Sequence, residues 1–377
     1  MRILALDVGT GTQDILLFDT SGPVENCVKL VMPSATMIAA NHIRRATAAG
    51  QDVVITGVIQ GGGPCHWALE DHLRAKLPAF ATPEAAATFD DDLDAVREMG
   101  VRIVSDDEAQ RIEGAHIELR DLHLDAIAAA LRAFDVDSKV DGYAVGCLDH
   151  GASPPGYSDR LFRFDHLRRV VERENDLRAF AYLPSELPEY LTRARTLVRA
   201  LPEDAPAVFL DTGPAAALGA LLDPVVVNQE EQVAARPRVN NPEERFILNL
   251  GNMHALAFHL RGTTVISLYE HHTGEMTNAQ IEDFTDRLAR GELRQEEVFE
   301  SKGHGVYYAP EVQSHSSGLD FLAVTGPQRG RLQGSKLKPF FAAPYGDMML
   351  TGCFGMLRGF AYRFPAHAEE IEKALAV

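Results

Sequence analysis

The chain has 377 residues and a formal charge of −18 at pH 7, from 36 Lys and Arg against 54 Asp and Glu. That length fits two domains better than one, and so acidic a surface repels nucleic acid and anionic membrane, neither of which is expected as a partner. The four cysteines, Cys27, Cys65, Cys147 and Cys353, form no CxxC pair. No apolar run approaches a membrane span, and no secretory signal opens the chain. The expectation is a cytoplasmic protein with reduced thiols.

Residues 1–18 read MRILALDVGTGTQDILLF. Two apolar runs of strand length are joined by a tight Gly/Thr turn, which predicts a β-hairpin. Small residues in the turn, Gly9, Thr10, Gly11 and Thr12, let backbone N–H groups approach an anion. Asp7 stands at the mouth of the turn, where a carboxylate can hold a hydrated divalent cation. An ordinary hairpin closed by an Asx turn fits the same residues.

A third strand is expected within 24–32. Ser34 caps a helix running to Gly50, and DVVITG at 52–57 is a β-branched strand. It leads into Gln60-Gly61-Gly62-Gly63-Pro64 and a helix over 66–76, a strand–glycine loop–helix order that can offer amides to an anion. The Lys-Ser/Thr ending of a P-loop is missing. An acidic surface helix ends at Gly100, a short VRIV strand follows, and 124–134 is an Ala-rich helix.

The strand at 140–148 ends in Asp149-His150-Gly151. Polar residues at such a strand end are where open α/β sheets place ligand groups, so Asp149 or His150 is a candidate general base or cation-holding group; an Asp capping the loop beside a surface His fits the same residues. A helix is expected over 184–201. The strand AVFL at 207–210 ends in Asp211-Thr212-Gly213-Pro214, with Pro214 taken as the first residue of a small-residue helix.

Residues 228–245 are polar. FILNLGNMHALAFHLRGTTVISLYEHH then predicts a meander of three strands. Thr277 and Gln280 form a capping box. Cleft loops are expected at Gly303-His304-Gly305 and at His315, Ser316, Ser317 and Gly318. The stretch 347–359 reads as strand, Gly352, two residues, Gly355, helix.

Four of these motifs resemble those of the actin-like ATPase superfamily, which contains sugar kinases, heat-shock chaperone ATPases and actin. The hairpin around Asp7 is similar to its first phosphate motif. Thr212-Gly213-Pro214-Ala215-Ala216-Ala217 is similar to a connecting motif that reads Glu-Pro-Thr-Ala-Ala-Ala in the chaperones, with the carboxylate displaced to Asp211. Asn249-Leu250-Gly251-Asn252-Met253-His254 resembles the second phosphate motif, with Asn249 and His254 where Asp and Thr are usual. Gly352 and Gly355 resemble the adenosine motif, with Cys353 replacing its second glycine.

The resemblance implies an α/β, ribonuclease H-like duplicated fold of two domains around a cleft, 1–222 with an insertion near 79–125, and 223–377. It implies ATP or ADP with Mg²⁺ as cofactor. Asp7 would orient Mg²⁺-bound water, and Gly9 to Thr12 with Gly251 and Asn252 would contact phosphates. Gly352 and Gly355 would flank adenosine, and Asp149 or Asp211 would act as base or water-positioning group. A phosphotransferase or ATPase follows, acting on a small molecule or protein. Because an amide at 249 cannot carry the charge, a non-catalytic nucleotide switch is the alternative.

The whole chain is also similar to a prokaryotic family labelled as pyruvate formate-lyase activating enzymes, through DVGTGTQD, the DHG at 149–151 with SDR following, and GDMMLTGCFG. Radical activases of that name hold an iron–sulfur cluster on CxxxCxxC, which this sequence lacks. A third reading is a metal enzyme using its histidines. His254, His259, His271 and His272 fall on neighbouring expected strands, but adjacent strand residues such as His271 and His272 point to opposite faces.

Overall fold

The computed structural model describes residues 1–227, 244–310 and 319–376. The loop expected at His315 to Gly318, and most of the polar stretch at 228–245, lie outside them. Among the described residues, sixteen strands fall into three sheets. β1 (Arg2–Val8), β2 (Thr12–Asp19) and β3 (Val28–Pro33) form an antiparallel meander. The next four strands, β4 (Val53–Gly57), β5 (Ala79–Ala81), β6 (Val101–Ile103) and β7 (Ala115–Leu119), make an all-parallel sheet of their own in the order β6-β5-β4-β7.

The chain then returns to the first sheet through β8 (Gly142–Cys147), β9 (Ala181–Tyr182) and β10 (Ala207–Leu210), in the order β3-β2-β1-β8-β10-β9. β8 lies parallel to β1, and β10 parallel to β8. The last sheet repeats this plan. β11 (Glu244–Leu250), β12 (His254–Arg261) and β13 (Thr264–His272) form the meander, β14 (Gly305–Tyr308) adds an edge, and β15 (Leu322–Thr325) and β16 (Phe340–Phe341) run parallel to β11.

Two sheets built alike, three antiparallel strands and then parallel strands beside the first, make a duplicated core, the arrangement that the resemblance to the actin-like ATPase superfamily implies. The apolar runs explain it. Ile3, Leu4, Ala5 and Leu6 are all buried, as a central strand covered on both faces requires. Ile247, Leu248 and Leu250 repeat that pattern in β11.

One continuous core joins the two sheets. It takes in β1 and β8 and also Leu256, Phe258 and Leu260 of β12. The helices Thr212–Ala220 and Thr351–Arg363 cross within it at close quarters. A Cβ on Gly355 would lie 1.8 Å from the Ala215 carbonyl oxygen, and one on Gly219 would lie 1.8 Å from that of Thr351. The all-parallel sheet has its own core, including Val53, Ile55, Leu69 and Ile117.

Several local expectations hold. Ser34 Oγ accepts from the Met37 amide at the start of the helix Ala35–Ala48, and Thr277 and Gln280 form both bonds of a capping box. Others need correction. The helix expected over 184–201 is a 3-10 turn at Pro184–Glu186 followed by the helix Thr192–Arg199, because the proline at 188 interrupts the pattern. The helix after β10 begins at Thr212 with Asp211 as its N-cap, so Pro214 is not its first residue. Residues 347–350 form no strand and lead directly into the helix Thr351–Arg363.

Candidate functional site

The two meanders present equivalent hairpin turns. In β1 and β2, Asp7 pairs with Asp14, and the Gly9 amide donates to the Thr12 carbonyl at 3.0 Å. In β11 and β12, Asn249 pairs with Leu256, and the Gly251 amide donates to the His254 carbonyl at 3.0 Å. The glycines are needed for room. A Cβ would sit 2.9 Å from the Thr12 oxygen at Gly9 and 2.8 Å from the His254 oxygen at Gly251. The turns also meet each other, since a Cβ on Gly11 would come within 2.5 Å of Asn252 Nδ2.

Both turns line one cavity of ≈ 110 Å³, which takes in Asp7, Gly9, Thr10, Thr12, Gly251, Asn252 and Gly352 of the residues expected at the site. The amides of Gly9 and Gly251 are spent inside their own turns. The amides left to meet an anion in these turns are therefore those of the residues that follow each glycine. Gly352 lets the helix Thr351–Arg363 start against the carboxylate, because a Cβ there would lie 2.1 Å from Asp7 Oδ2.

Asp7 is buried, and Thr212 Oγ1 donates to its Oδ1 at 2.8 Å. Burial pushes the Asp7 carboxyl up to about 7, against the Thr212 bond that holds it down. Asp14 also lines the cavity. Burial first, and then the facing Asp7 charge, push it up to about 8. Its Oδ1 is buried with no hydrogen-bond partner among the described residues. Like charges at directly paired strand positions repel, so this pair is arranged to favour a cation or a proton. Asp14 was legible within DVGTGTQD as the strand partner of Asp7 across a short turn, but the sequence reading did not single it out.

Arg193, from the helix Thr192–Arg199, lines this cavity and a neighbouring one of ≈ 380 Å³. It donates to Asp121 Oδ2 at 2.7 Å and to the Leu148 carbonyl at 2.8 Å. No local motif marks it. Only the fold brings it to the seam. The larger cavity lies at the carboxyl end of β4, where Gln60 to Gly63 face Gly9, Thr10 and His254. Of the glycine loop's amides, that of Gly61 is already taken by Asp121 Oδ1 at 3.2 Å.

Three expected residues have other work. Asp149 is buried beside the larger cavity, and both its oxygens are engaged, by the Gly151 amide at 2.8 Å and the Ala194 amide at 2.9 Å. Burial raises its pKa, and those two amides oppose the rise. It caps a helix start and is not free as a base. Asp211 is held by Arg163, which also donates to Glu270 Oε2 at 3.1 Å, while the Gly213 amide donates to Asp211 Oδ1 at 3.1 Å. This buried triad ties β10 to β13, and Asp211 lines neither cavity. Gly355 does not line the cleft and serves the helix crossing described above.

Four histidines gather where the cavities join the second sheet. His254 and His272 are register partners on β12 and β13. His150 follows β8, and His304 precedes β14. Their ring centroids lie 4.5 to 6.1 Å apart. Burial pushes His254 and His304 well below the ordinary imidazole range. The sequence placed His254 and His272 on neighbouring strands but did not join His150 or His304 to them. His271 faces elsewhere, bonding Ser301 at 3.1 Å, and His259 bonds Glu244 at 2.8 Å.

Residues 60–331 match the family model described as "Putative pyruvate format-lyase activating enzyme (DUF1786)". No curated protein matches the chain. Similar solved structures include a ROK family transcriptional regulator described as a homolog of the E. coli MLC protein, at 11% identity and a TM-score of 0.25, covering 70% of this chain and 37% of that one. A ROK hexokinase from Thermus thermophilus has 13% identity and a TM-score of 0.22, with 70% of this chain and 48% of that chain covered. The ethanolamine utilization protein EutJ from Carboxydothermus hydrogenoformans has 10% identity and a TM-score of 0.30, covering 94% and 89%. The chain thus spans less than half the length of the first two.

Proposed function

The chain belongs to the DUF1786 family, and we propose that it binds a nucleoside di- or triphosphate with Mg²⁺ between its two glycine turns and acts as a phosphotransferase or ATPase. The observation that carries this reading is the pair of equivalent turns, Gly9 to Thr12 and Gly251 to His254, lining one cavity with Asp7 and Asp14. On this reading residues 1–222 and 223–377 act as the two lobes of the cleft.

Asp7 and Asp14 fit a divalent cation. They are two acidic groups in one buried pocket, and one oxygen is without a protein partner among the described residues. Bound there, Mg²⁺ would neutralise polyphosphate charge. Thr212 holds Asp7 in place. The cavity at the turns suits a phosphoryl-sized group, so a whole nucleotide requires the lobes to part and close again, which would also exclude water. The larger cavity beside Gly61 to Gly63 is the natural place for the acceptor.

A second reading is favoured by one observation. Asn249 occupies the position in β11 that Asp7 holds in β1, and an amide cannot replace a carboxylate as cation ligand or base. The chain would then be a nucleotide-dependent switch that binds without turnover. The radical chemistry that the family's description names does not fit this chain. Cys65, Cys147 and Cys353 are buried singly and Cys27 is half-buried, and no three cysteines come together among the described residues, so they do not fit an iron–sulfur cluster.

Isothermal titration with ATP and ADP, with and without Mg²⁺, tests the reading. Saturable Mg²⁺-dependent binding is expected, weakened roughly tenfold or more, about 1.4 kcal/mol, in Asp7→Ala. Equal affinity in the variant would remove Asp7 from the site. Tight binding without phosphate release would select the switch.

A further inference from the structure

We propose that His150, His254 and His304 form a binding site for one divalent transition-metal ion of the zinc class, with an open side towards the larger cavity. One candidate ligand nitrogen from each histidine lies within 4.8 Å of the other two. His150 Nε2 and His254 Nε2 are 3.0 Å apart. Nitrogens bound to a tetrahedral zinc at about 2.0–2.1 Å stand roughly 3.3 Å from one another, so small ring movements bring all three to a common ion.

The burial of His304 is the independent observation. The side chain is 0% exposed, and neither ring nitrogen has a hydrogen-bond partner among the described residues. Every neutral imidazole has one N–H to donate and one lone pair to share. Leaving both unmet inside a protein is unfavourable, and an ion at the centre of the cluster takes up the lone pair. The backbone holds the ring there, because the His304 amide donates to the Glu270 carbonyl at 2.9 Å.

His150 has the support usual for a metal-bound imidazole. Its Nδ1 lies 3.3 Å from Asp159 Oδ2. A carboxylate on the far nitrogen fixes the tautomer and directs the Nε2 lone pair inward. Nitrogen donors exclude Mg²⁺ and Ca²⁺, which take oxygen, and suit zinc, iron, nickel or copper. Three protein ligands with a side left open is the arrangement of reactive rather than structural zinc sites. His272, whose ring centroid is 4.5 Å from that of His304, stands beside the opening. Both His150 and His272 line the cavity that Gly61 to Gly63 close from the other side.

The site is distinct from the Asp7 and Asp14 pocket in ligand type, and its test uses no nucleotide. The full-length protein is stripped with a chelator and dialysed against Zn²⁺ or Co²⁺ at micromolar free concentration. Metal content is then read by mass spectrometry, and cobalt by its visible absorption. About one ion per chain is expected in the wild type, with the pH-dependent affinity of imidazole ligands. His254→Ala and His304→Ala should lose the ion, while His259→Ala and His271→Ala keep it.

Asp159→Asn should weaken binding by roughly 10–100-fold without abolishing it. Because the buried variants can disturb folding, His150→Ala, at the half-buried corner of the cluster, is measured beside them with circular dichroism. A folded His150→Ala that binds as tightly as the wild type overturns the proposal. So does a wild type that takes up no ion, or variants outside the cluster that lose it equally.

Discussion

Asp7 and Asp14 show what one pair of residues asks of the rest of the site. Burial, above all, pushes both carboxyls up from the ordinary carboxylate range, to about 7 and about 8. A carboxyl raised in the folded state stabilises the fold fully below its unfolded value of about 4, and that contribution is lost as pH rises through the folded value. In chelator-treated protein, the contribution of this pair to thermal stability should therefore fall from pH 4 towards pH 8. The melting temperature of Asp14→Asn should gain on that of the wild type as pH rises over this range, and millimolar Mg²⁺ should raise the wild-type melting temperature more at pH 8 than at pH 5. A wild type and an Asp14→Asn variant with the same pH profile would contradict this account of the pair. At this scale the sequence was half legible. Asp7 was visible because it ends an apolar strand before a glycine turn. Asp14, Arg193 and His304 matter through neighbours distant in the chain, and no local pattern encodes those. Asp149 and Asp211 were visible as polar strand ends, but their helix-capping and ion-pair duties depend on Ala194 and Arg163.

Among the elements, the crossing of helices Thr212–Ala220 and Thr351–Arg363 fixes how the second sheet is carried on the first. Gly219 and Gly355 let the two backbones touch. Adding one methyl group at Gly355 strikes a carbonyl, which cannot rotate away as a side chain can. Gly355→Ala should cost about 1–3 kcal/mol, measured by urea denaturation, and should leave Mg-ATP affinity unchanged at temperatures where the variant is folded. Selective loss of nucleotide binding with full stability would return Gly355 to the adenosine role that the resemblance implies. Strands and caps were legible because their periods and end signals are local, as in Ile3 to Leu6 and in Thr277 with Gln280. The helix Asp159–Arg173 was not assigned, since Arg163 and His166 occupy its buried face and break the apolar stripe by which such a helix is recognised.

In the whole molecule, two sheets of like order share one core and bring two like turns to one cavity. A third sheet with its own core closes the far side of the larger cavity. The duplication was legible because DVGTGT and NLGNMH each lie between apolar strands. The third sheet was not, since its short strands carry too few residues to show a period, and its first strand, β4, precedes the polar stretch where an insertion was expected. No helix among the described residues is long and apolar enough to cross a membrane. Hydrogen–deuterium exchange with and without Mg-ATP asks most directly whether one polyphosphate is held by both halves. The account predicts that amides at 10–12 and at 252–254 slow together on saturation. Protection of one turn alone, or of neither while nucleotide is bound, would contradict it.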